Sequence, residues 1–316
     1  MEARTTRPPL GATPRTPALG VARRRYGEDA IKVGLLLAAL ISVATTIGIV
    51  LSLAGETIVF FQEVGVVEFL TGTEWAPLFG DPAYGVLPLI SGTLLITLIA
   101  LVVAIPLGIG SAIYLSEYAR PAVRRTLKPI LELLAGVPTI VFGYFALTFF
   151  TPVVLRDLLG VEVQIFNALS AGIVMGFMVL PTIASVSEDA LTAVPTSLRE
   201  GAFGLGATPR QVSLRVVMPA ALSGVVAVII LGISRAIGET MIVLVAAGQQ
   251  PNLTADPRSA IETMTAFIAA TGKGDLATGS IAYKTIFAVG TTLFVMTLIM
   301  NAISIGFVRR FRQVYE

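Results

Sequence analysis

The sequence predicts an all-α, polytopic membrane protein with six transmembrane helices and both termini on the cytoplasmic side. Three observations carry this. Of 316 residues, 55% are hydrophobic and 13% charged, and the mean hydropathy is +0.85. A water-facing surface on a chain of this length needs far more charge. Six apolar stretches each approach the ~20 residues that a helix needs to cross hydrocarbon. Basic residues concentrate in alternate connections, the pattern that sets orientation in a bilayer.

Residues 1–27, "MEARTTRPPLGATPRTPALGVARRRYG", lack apolar periodicity and read as a disordered basic cytoplasmic tail. Residues 28–316 form the transmembrane domain, with spans at 31–53, 89–116, 129–150, 167–187, 219–246 and 284–307. With both termini inside, 17 of the 22 basic residues lie on the inner side: Arg4 to Lys32, Arg120 to Lys128, Arg199 to Arg215 and Arg309 to Arg312. The first outer segment, 54–88, holds five acids and no base. Its single Trp75 fits a membrane–water boundary. Pro106, Gly108, Gly110, Gly136, Pro138 and Pro181 fall inside the spans, where small residues allow close helix packing and breakers are tolerated.

The sequence has no cysteine and no histidine. Disulfides, thiolate chemistry, the commonest metal ligand and the usual neutral-pH base are therefore absent. Apart from Lys32 and Lys284 at span ends, only Glu132, Arg235 and Glu239 carry charge within the spans, and no two carboxylates pair. No catalytic residue, metal site or nucleic-acid partner is expected, and membrane lipid is the surrounding medium. These absences count against an enzyme. Three ionisable groups are also a thin set for a proton-coupled secondary transporter.

The inner connection 188–219, "EDALTAVPTSLREGAFGLGATPRQVSLRVVMP", is too long for a turn. Ser197 with Glu200, and Thr208 with Gln211, have capping-box spacing, and Pro209 suits a first helical position. The expected form is helix, glycine turn, helix. On physics alone this is either an amphipathic hairpin on the membrane surface or a docking element for a partner.

The fifth span carries "LGISRAIGETMIVLV", with Arg235 and Glu239 four residues apart and Thr240 beside them. A charge at mid-membrane costs about 2.5–3.5 kcal/mol on insertion scales. The i, i+4 spacing places both on one helical face, within pairing distance. A structural ion pair and a polar spot on a substrate path carry equal weight here. For a path, Arg235 suits an anion: its planar fork matches a carboxylate or an oxyanion. Counted from Pro219, it lies about 24 Å along a straight helix, in the outer half of the bilayer.

Two motifs resemble known families. ABC importer permeases carry Glu-Ala-Ala, three residues, Gly, nine residues, then Ile-X-Leu-Pro. This chain has Glu200-Gly201-Ala202, then Gly206, then Val216-Val217-Met218-Pro219, with the same spacing and mild changes of type. "SRAIGETM" is similar to the Arg-Ala-X-Gly-Glu-Thr segment of phosphate ABC importer permeases. The similarity extends to "LPLISGTLLITLIALVVAIPLGIGSAIYLSEYA" and "ELLAGVPTIVFGYFAL". Met241 after Glu-Thr makes the chain look like the PstC-type subunit rather than PstA.

The resemblance implies a type I ABC importer permease-like fold in the bacterial inner membrane. It implies that Glu200, Gly201, Ala202, Gly206 and Pro219 belong to an ATPase-coupling loop, and that Arg235, Glu239 and Thr240 lie on the substrate path. The implied partners are a second, PstA-like permease subunit, two ATP-binding subunits and a periplasmic phosphate-binding protein. ATP and magnesium belong to the ATP-binding subunits, since this chain has no G-x-x-x-x-G-K-[ST] loop. The alternatives are a permease for molybdate or sulfate, a secondary transporter, or a membrane scaffold.

Overall fold

The computed structural model describes residues 26–78, 80–274, 276–277 and 279–311. The basic tail expected at 1–27 lies outside them, apart from Tyr26 and Gly27, which open the first helix. The chain divides into two units, residues 1–51 and 52–316. In the first, residues 26–51 are helical and their apolar side chains are exposed almost throughout. A helix apolar all round is at home in lipid.

Helix α1 (Tyr26–Glu63) leads through a short α2 (Val66–Thr71) to a two-stranded antiparallel ladder, β1 (Trp75–Ala76) with β2 (Ala83–Tyr84). The acidic outer segment is folded, not a loose loop. Phe60, Phe61, Phe69, Trp75, Tyr84 and Phe267 meet edge to face, and Trp75 is 4% exposed. Trp75 is thus a core residue of the outer cap rather than a boundary residue. Ring–ring contacts of this geometry outweigh a place at the interface.

Helix α3 (Leu87–Ile113) continues through one wide π turn to Tyr118, and α6 (Ala168–Thr192) lies along it. Ile96, Ala100, Ala104, Val174, Met175, Met178, Val179 and Ile183 form the main core between them. Pro106 and Pro181 are carried inside unbroken helices. The glycines set the approach. A Cβ on Gly176 would stand 2.8 Å from the Ala100 carbonyl oxygen and from Val103 Cβ. Backbones this close are held by dispersion and interhelical contacts, because lipid tails give no hydrophobic drive between helices.

The third expected span, 129–150, is displaced. Residues 121–135 form a separate amphipathic helix, α4 (Pro121–Ala135), with no buried residue. Gly136 and Pro138 end it, and the crossing helix is α5 (Thr139–Phe145) continuing in wide π turns to Leu158. Pro138 supplies no amide to extend α4, and the apolar run restarts beyond it. Asn167 caps α6 by accepting from the Ser170 amide at 2.7 Å.

After α6 come α7 (Thr196–Gly204), α8 (Pro209–Val212), wide turns at 213–217 and α9 (Met218–Ala220). The segment Pro209–Ala220 meets α10 (Leu222–Ile237) at a 72° bend. Ala221 at the corner is bonded to both arms: its amide donates to Val217 O and its carbonyl accepts from the Val225 amide. The chain ends with α11 (Met241–Ala246), α12 (Met264–Gly272) and α13 (Ile281–Phe311). Among the described residues five helices are long and apolar enough to cross a membrane, and the bent pair, taken as one span, makes a sixth.

If Gly176 sets the α3–α6 approach, Gly176→Val forces the helices apart. Thermal unfolding in detergent should show a loss of about 1–3 kcal/mol. Gly201→Ala, inside α7 and with a Cβ that meets nothing within 4 Å, should instead keep or raise stability, by up to about 1 kcal/mol.

Candidate substrate path and coupling surface

The fifth span is broken where the sequence places its charges. Helix α10 ends at Ile237, Gly238 closes its last turn, and Glu239 and Thr240 lie between α10 and α11. The expected i, i+4 pair between Arg235 and Glu239 therefore does not form. Glu239, 9% exposed, turns its carboxylate to the start of α11. Its Oε1 accepts from the Met241 amide at 3.0 Å and the Ile242 amide at 3.3 Å. Helix starts leave amides unbonded, and an anion there meets both them and the helix dipole. Gly238 weakens the helix at the same point. Capping α11 thus replaces pairing with Arg235.

The break is fixed from the outer side too. Thr265 Oγ1 donates to the Glu239 carbonyl oxygen at 2.7 Å and shares a 3.1 Å hydrogen bond with Thr263 Oγ1. The Met264 amide donates to Thr93 Oγ1 on α3 at 3.1 Å. Thr240 is half-buried at the first position of the break's exit. Arg235 stands on the last turn of α10, exposed, and makes no hydrogen bond or ion pair with any described residue. One residue earlier, Ser234 Oγ donates to Asn301 Oδ1 of α13 at 3.0 Å. Measured from Leu222, after the bend, Arg235 lies about 20 Å along α10.

On the inner side, α7 and α8 form the expected helix, glycine turn, helix. Gly206 has φ +83°, a left-handed conformation that suits a residue without Cβ. Thr208 and Gln211 form a complete capping box. Ser197 does not cap α7: Pro195 occupies the N-cap position with no side-chain bond, because α7 begins one residue earlier at Thr196. Leu198, Ala202 and Ala207 pack against the buried ends of α3, α6 and α10 at Ala112, Leu191 and Val225. Glu200, Gly201 and Pro219 are exposed. Phe203 and Leu205 also project outward, Leu205 at 92% exposure. Sequence reasoning passed over both, although two apolar residues flanking a glycine turn are themselves a docking signal.

Two ion clusters tie this surface to the spans. Arg199 of α7 reaches Glu117, at the end of α3, at 3.0 Å, and donates to the Val194 and Leu191 carbonyls that end α6. Glu188, fully buried near the end of α6, is held by Arg124 and Lys128 of α4, and Lys128 also reaches Asp189 at 2.5 Å. As a topology signal, Arg124 and Lys128 looked like surface charges. Their spacing of one helical turn opposite Glu188-Asp189 was the clue to this pairing.

The outer cap holds a cavity of about 330 Å³ lined by Trp75, Gln249, Glu262, Phe267 and Thr271. Glu262 is 6% exposed, and burial pushes its carboxyl up to about 7. The buried Trp75 Nε1 finds no acceptor among the described residues.

A bundle of closely packed spans, a broken fifth span with a free cation, and an inner helical hairpin define the membrane subunit of a multi-part transporter. Residues 104–313 match the family model described as "Binding-protein-dependent transport system inner membrane component", and the chain belongs to that family. It is 36% identical over 264 residues to a probable ABC transporter permease protein, YqgH, of Bacillus subtilis, covering 83% of this chain and 84% of that one. It is 34% identical over 280 residues to the phosphate transport system permease protein PstC 1 of Mycobacterium tuberculosis, covering 77% and 82%. Its fold is similar to a chain of a bacterial ABC transporter involved in import of the acidic polysaccharide alginate. That match has a TM-score of 0.64 at 17% identity and covers 92% of this chain and 100% of the other. The chain is therefore a multi-pass inner-membrane permease subunit with a type I ABC importer fold, which sets aside the secondary-transporter and scaffold readings.

The raised Glu262 carboxyl makes stability depend on pH. The fold favours its protonated form, so this contribution is complete below the ordinary carboxylate value and is lost as pH rises through about 7. In thermal unfolding, Glu262→Gln should stay flat between pH 4.5 and 8, where the parent loses stability by up to about 3 kcal/mol.

Proposed function

We propose that the chain is one of two membrane subunits of an ATP-driven importer for inorganic phosphate, the PstC-type half of the pair. The single observation that carries the path is Arg235: an exposed guanidinium on a membrane-spanning helix, with no partner among the described residues. Its neighbour Glu239 does not neutralise it, because that carboxylate is engaged by the Met241 and Ile242 amides. A free guanidinium flanking a path offers planar donors to an oxyanion. The resemblance to phosphate permeases in "SRAIGETM" and the phosphate transport name of the Mycobacterium relative favour phosphate over molybdate or sulfate.

In this reading a second, PstA-like subunit faces the exposed side of Arg235, and the two line the path together. Thr240 adds a hydroxyl beside it. Glu239 holds the break open by capping, so no helical amide competes with Arg235 for the anion. A periplasmic phosphate-binding protein delivers phosphate at the outer cap. Two ATP-binding subunits, which hold ATP and magnesium, dock against α7 and α8 around Glu200, Gly201, Gly206 and Leu205. Arg199 then joins their movement to the ends of α3 and α6. Pro219 begins the arm that leads into the fifth span.

In a host strain lacking its own phosphate importer, Arg235→Ala should lower phosphate uptake about tenfold or more, the worth of a charge-assisted hydrogen bond. The complex should still assemble. Uptake unchanged by Arg235→Ala would take the residue off the path, and equal competition by sulfate or molybdate would point to another oxyanion. Glu200→Lys should reduce co-purification of the ATP-binding subunits while leaving the unfolding temperature of this chain unaltered. Full retention of those subunits would move the docking surface away from α7.

A further inference from the structure

Two adjoining cavities lie between α4 and the inner end of α3. The first, about 430 Å³, is lined by Ser116, Arg124, Arg125, Lys128 and Glu132. The second, about 420 Å³, is lined by Pro106, Leu107, Gly110, Tyr114, Leu127 and Ile130. Leu115 belongs to both walls. One half is therefore basic and the other apolar, and they adjoin at Leu115.

We propose that this bipartite groove is a binding site for an anionic phospholipid of the inner leaflet. The charge balance of the first cavity is the starting point. Arg124, Arg125, Lys128 and Glu132 line it, but Glu188 and Asp189 pair with Arg124 and Lys128, so Arg125 is the cation left over. Glu188, outside the cavity, accepts one Nη of Arg124 and the ammonium of Lys128, which fixes both side chains in place. Arg125 is exposed and makes no hydrogen bond or ion pair with any described residue. Its whole guanidinium fork remains free for a phosphodiester.

The second cavity decides between a lipid and any water-soluble anion. From Leu115 to Pro106 the groove follows α3 for nine residues, about 13 Å, into a membrane-spanning helix. Its wall there carries no charge. Only a molecule with an anionic head and an acyl tail of at least that length fills both halves. A free phosphate would occupy the first and leave the second empty. Helix α4 fits the same picture: it is amphipathic, has no buried residue, and exposes Ile130, Leu133 and Leu134. Such a helix lies at the boundary of headgroups and acyl chains. Basic pockets beside inner helix ends hold anionic headgroups, with roughly 1 kcal/mol from each nearby Lys or Arg.

The test uses the full importer complex, purified in detergent and exchanged into mixed micelles of phosphatidylglycerol and phosphatidylcholine. Native mass spectrometry counts the lipids retained. Retention of phosphatidylglycerol over phosphatidylcholine is expected. Arg125→Ala should reduce the bound phosphatidylglycerol about fivefold, the worth of one headgroup cation. Gly110→Phe should also remove it: a Cβ at Gly110 meets nothing within 4 Å, so the ring fills the apolar half without displacing a neighbour. Lys273→Ala, at an exposed position in the outer segment, should retain lipid like the parent.

Millimolar inorganic phosphate should not displace the lipid; displacement would show that the groove takes phosphate itself and overturn the proposal. Equal retention of the two lipids, or retention unaffected by both Arg125→Ala and Gly110→Phe, would overturn it as well. The substrate reading is tested by uptake and Arg235, so either can fail alone.

Discussion

The carboxylate of Glu239 bonded to the amides of Met241 and Ile242 is the interaction on which the transport reading rests. Inside a bilayer no water is available to satisfy a broken helix, so an interruption persists only where protein groups take over its hydrogen bonds. Here the carboxylate serves the start of α11, while Thr265 bonds the Glu239 carbonyl from the outer segment. The interruption is therefore a built element with partners on both sides. It also decides the electrostatics. A carboxylate that looked like the partner of Arg235 hydrogen-bonds elsewhere, and the donors of the guanidinium stay unoccupied by any described residue. The unusual cost of a lone cation in a span is reasonable where a second subunit and a water-filled path cover it.

The inner face follows the same logic of charges used as joints. Arg199 belongs to α7, yet its fork ends at Glu117 of α3 and at two carbonyls closing α6. Glu188 is fully buried, and Arg124 and Lys128 of α4 both reach its carboxylate. Removing one member of such a buried cluster leaves the others uncompensated. The helices of the inner hairpin are thus connected to the spans by charged, geometrically specific contacts as well as by apolar packing at Leu198 and Ala202.

Much of this was legible in the residues themselves. Apolar length located the crossing helices, and the capping box at Thr208 and the turn at Gly206 appear where spacing placed them. The errors share one physical origin: hydropathy counts apolar residues and ignores what ends a helix. Residues 129–135 are apolar enough to extend a span, but Gly136 and Pro138 cut them off and leave α4 amphipathic. Glu239 was assigned to Arg235 by helical spacing, although a Gly-Glu-Thr run equally encodes a stop and a cap. Trp75 was placed at a boundary because a lone Trp carries no trace of the phenylalanines that fold back to enclose it. The burial of Glu188 left only a faint trace, the one-turn spacing of Arg124 and Lys128, since these partners lie 64 and 60 residues away.

The bend at Ala221 has a mechanical consequence. Pro209–Ala220 and Leu222–Ile237 stand at 72°, and Ala221 at the corner is hydrogen-bonded to both arms. Such a piece behaves as a crank jointed at one residue. A push on the short arm is passed through that joint and swings the long arm. At the far end of that arm sits Arg235, about 20 Å from the pivot. A tilt of a few degrees carries the guanidinium by an ångström or more, enough to make or break a hydrogen bond with an anion.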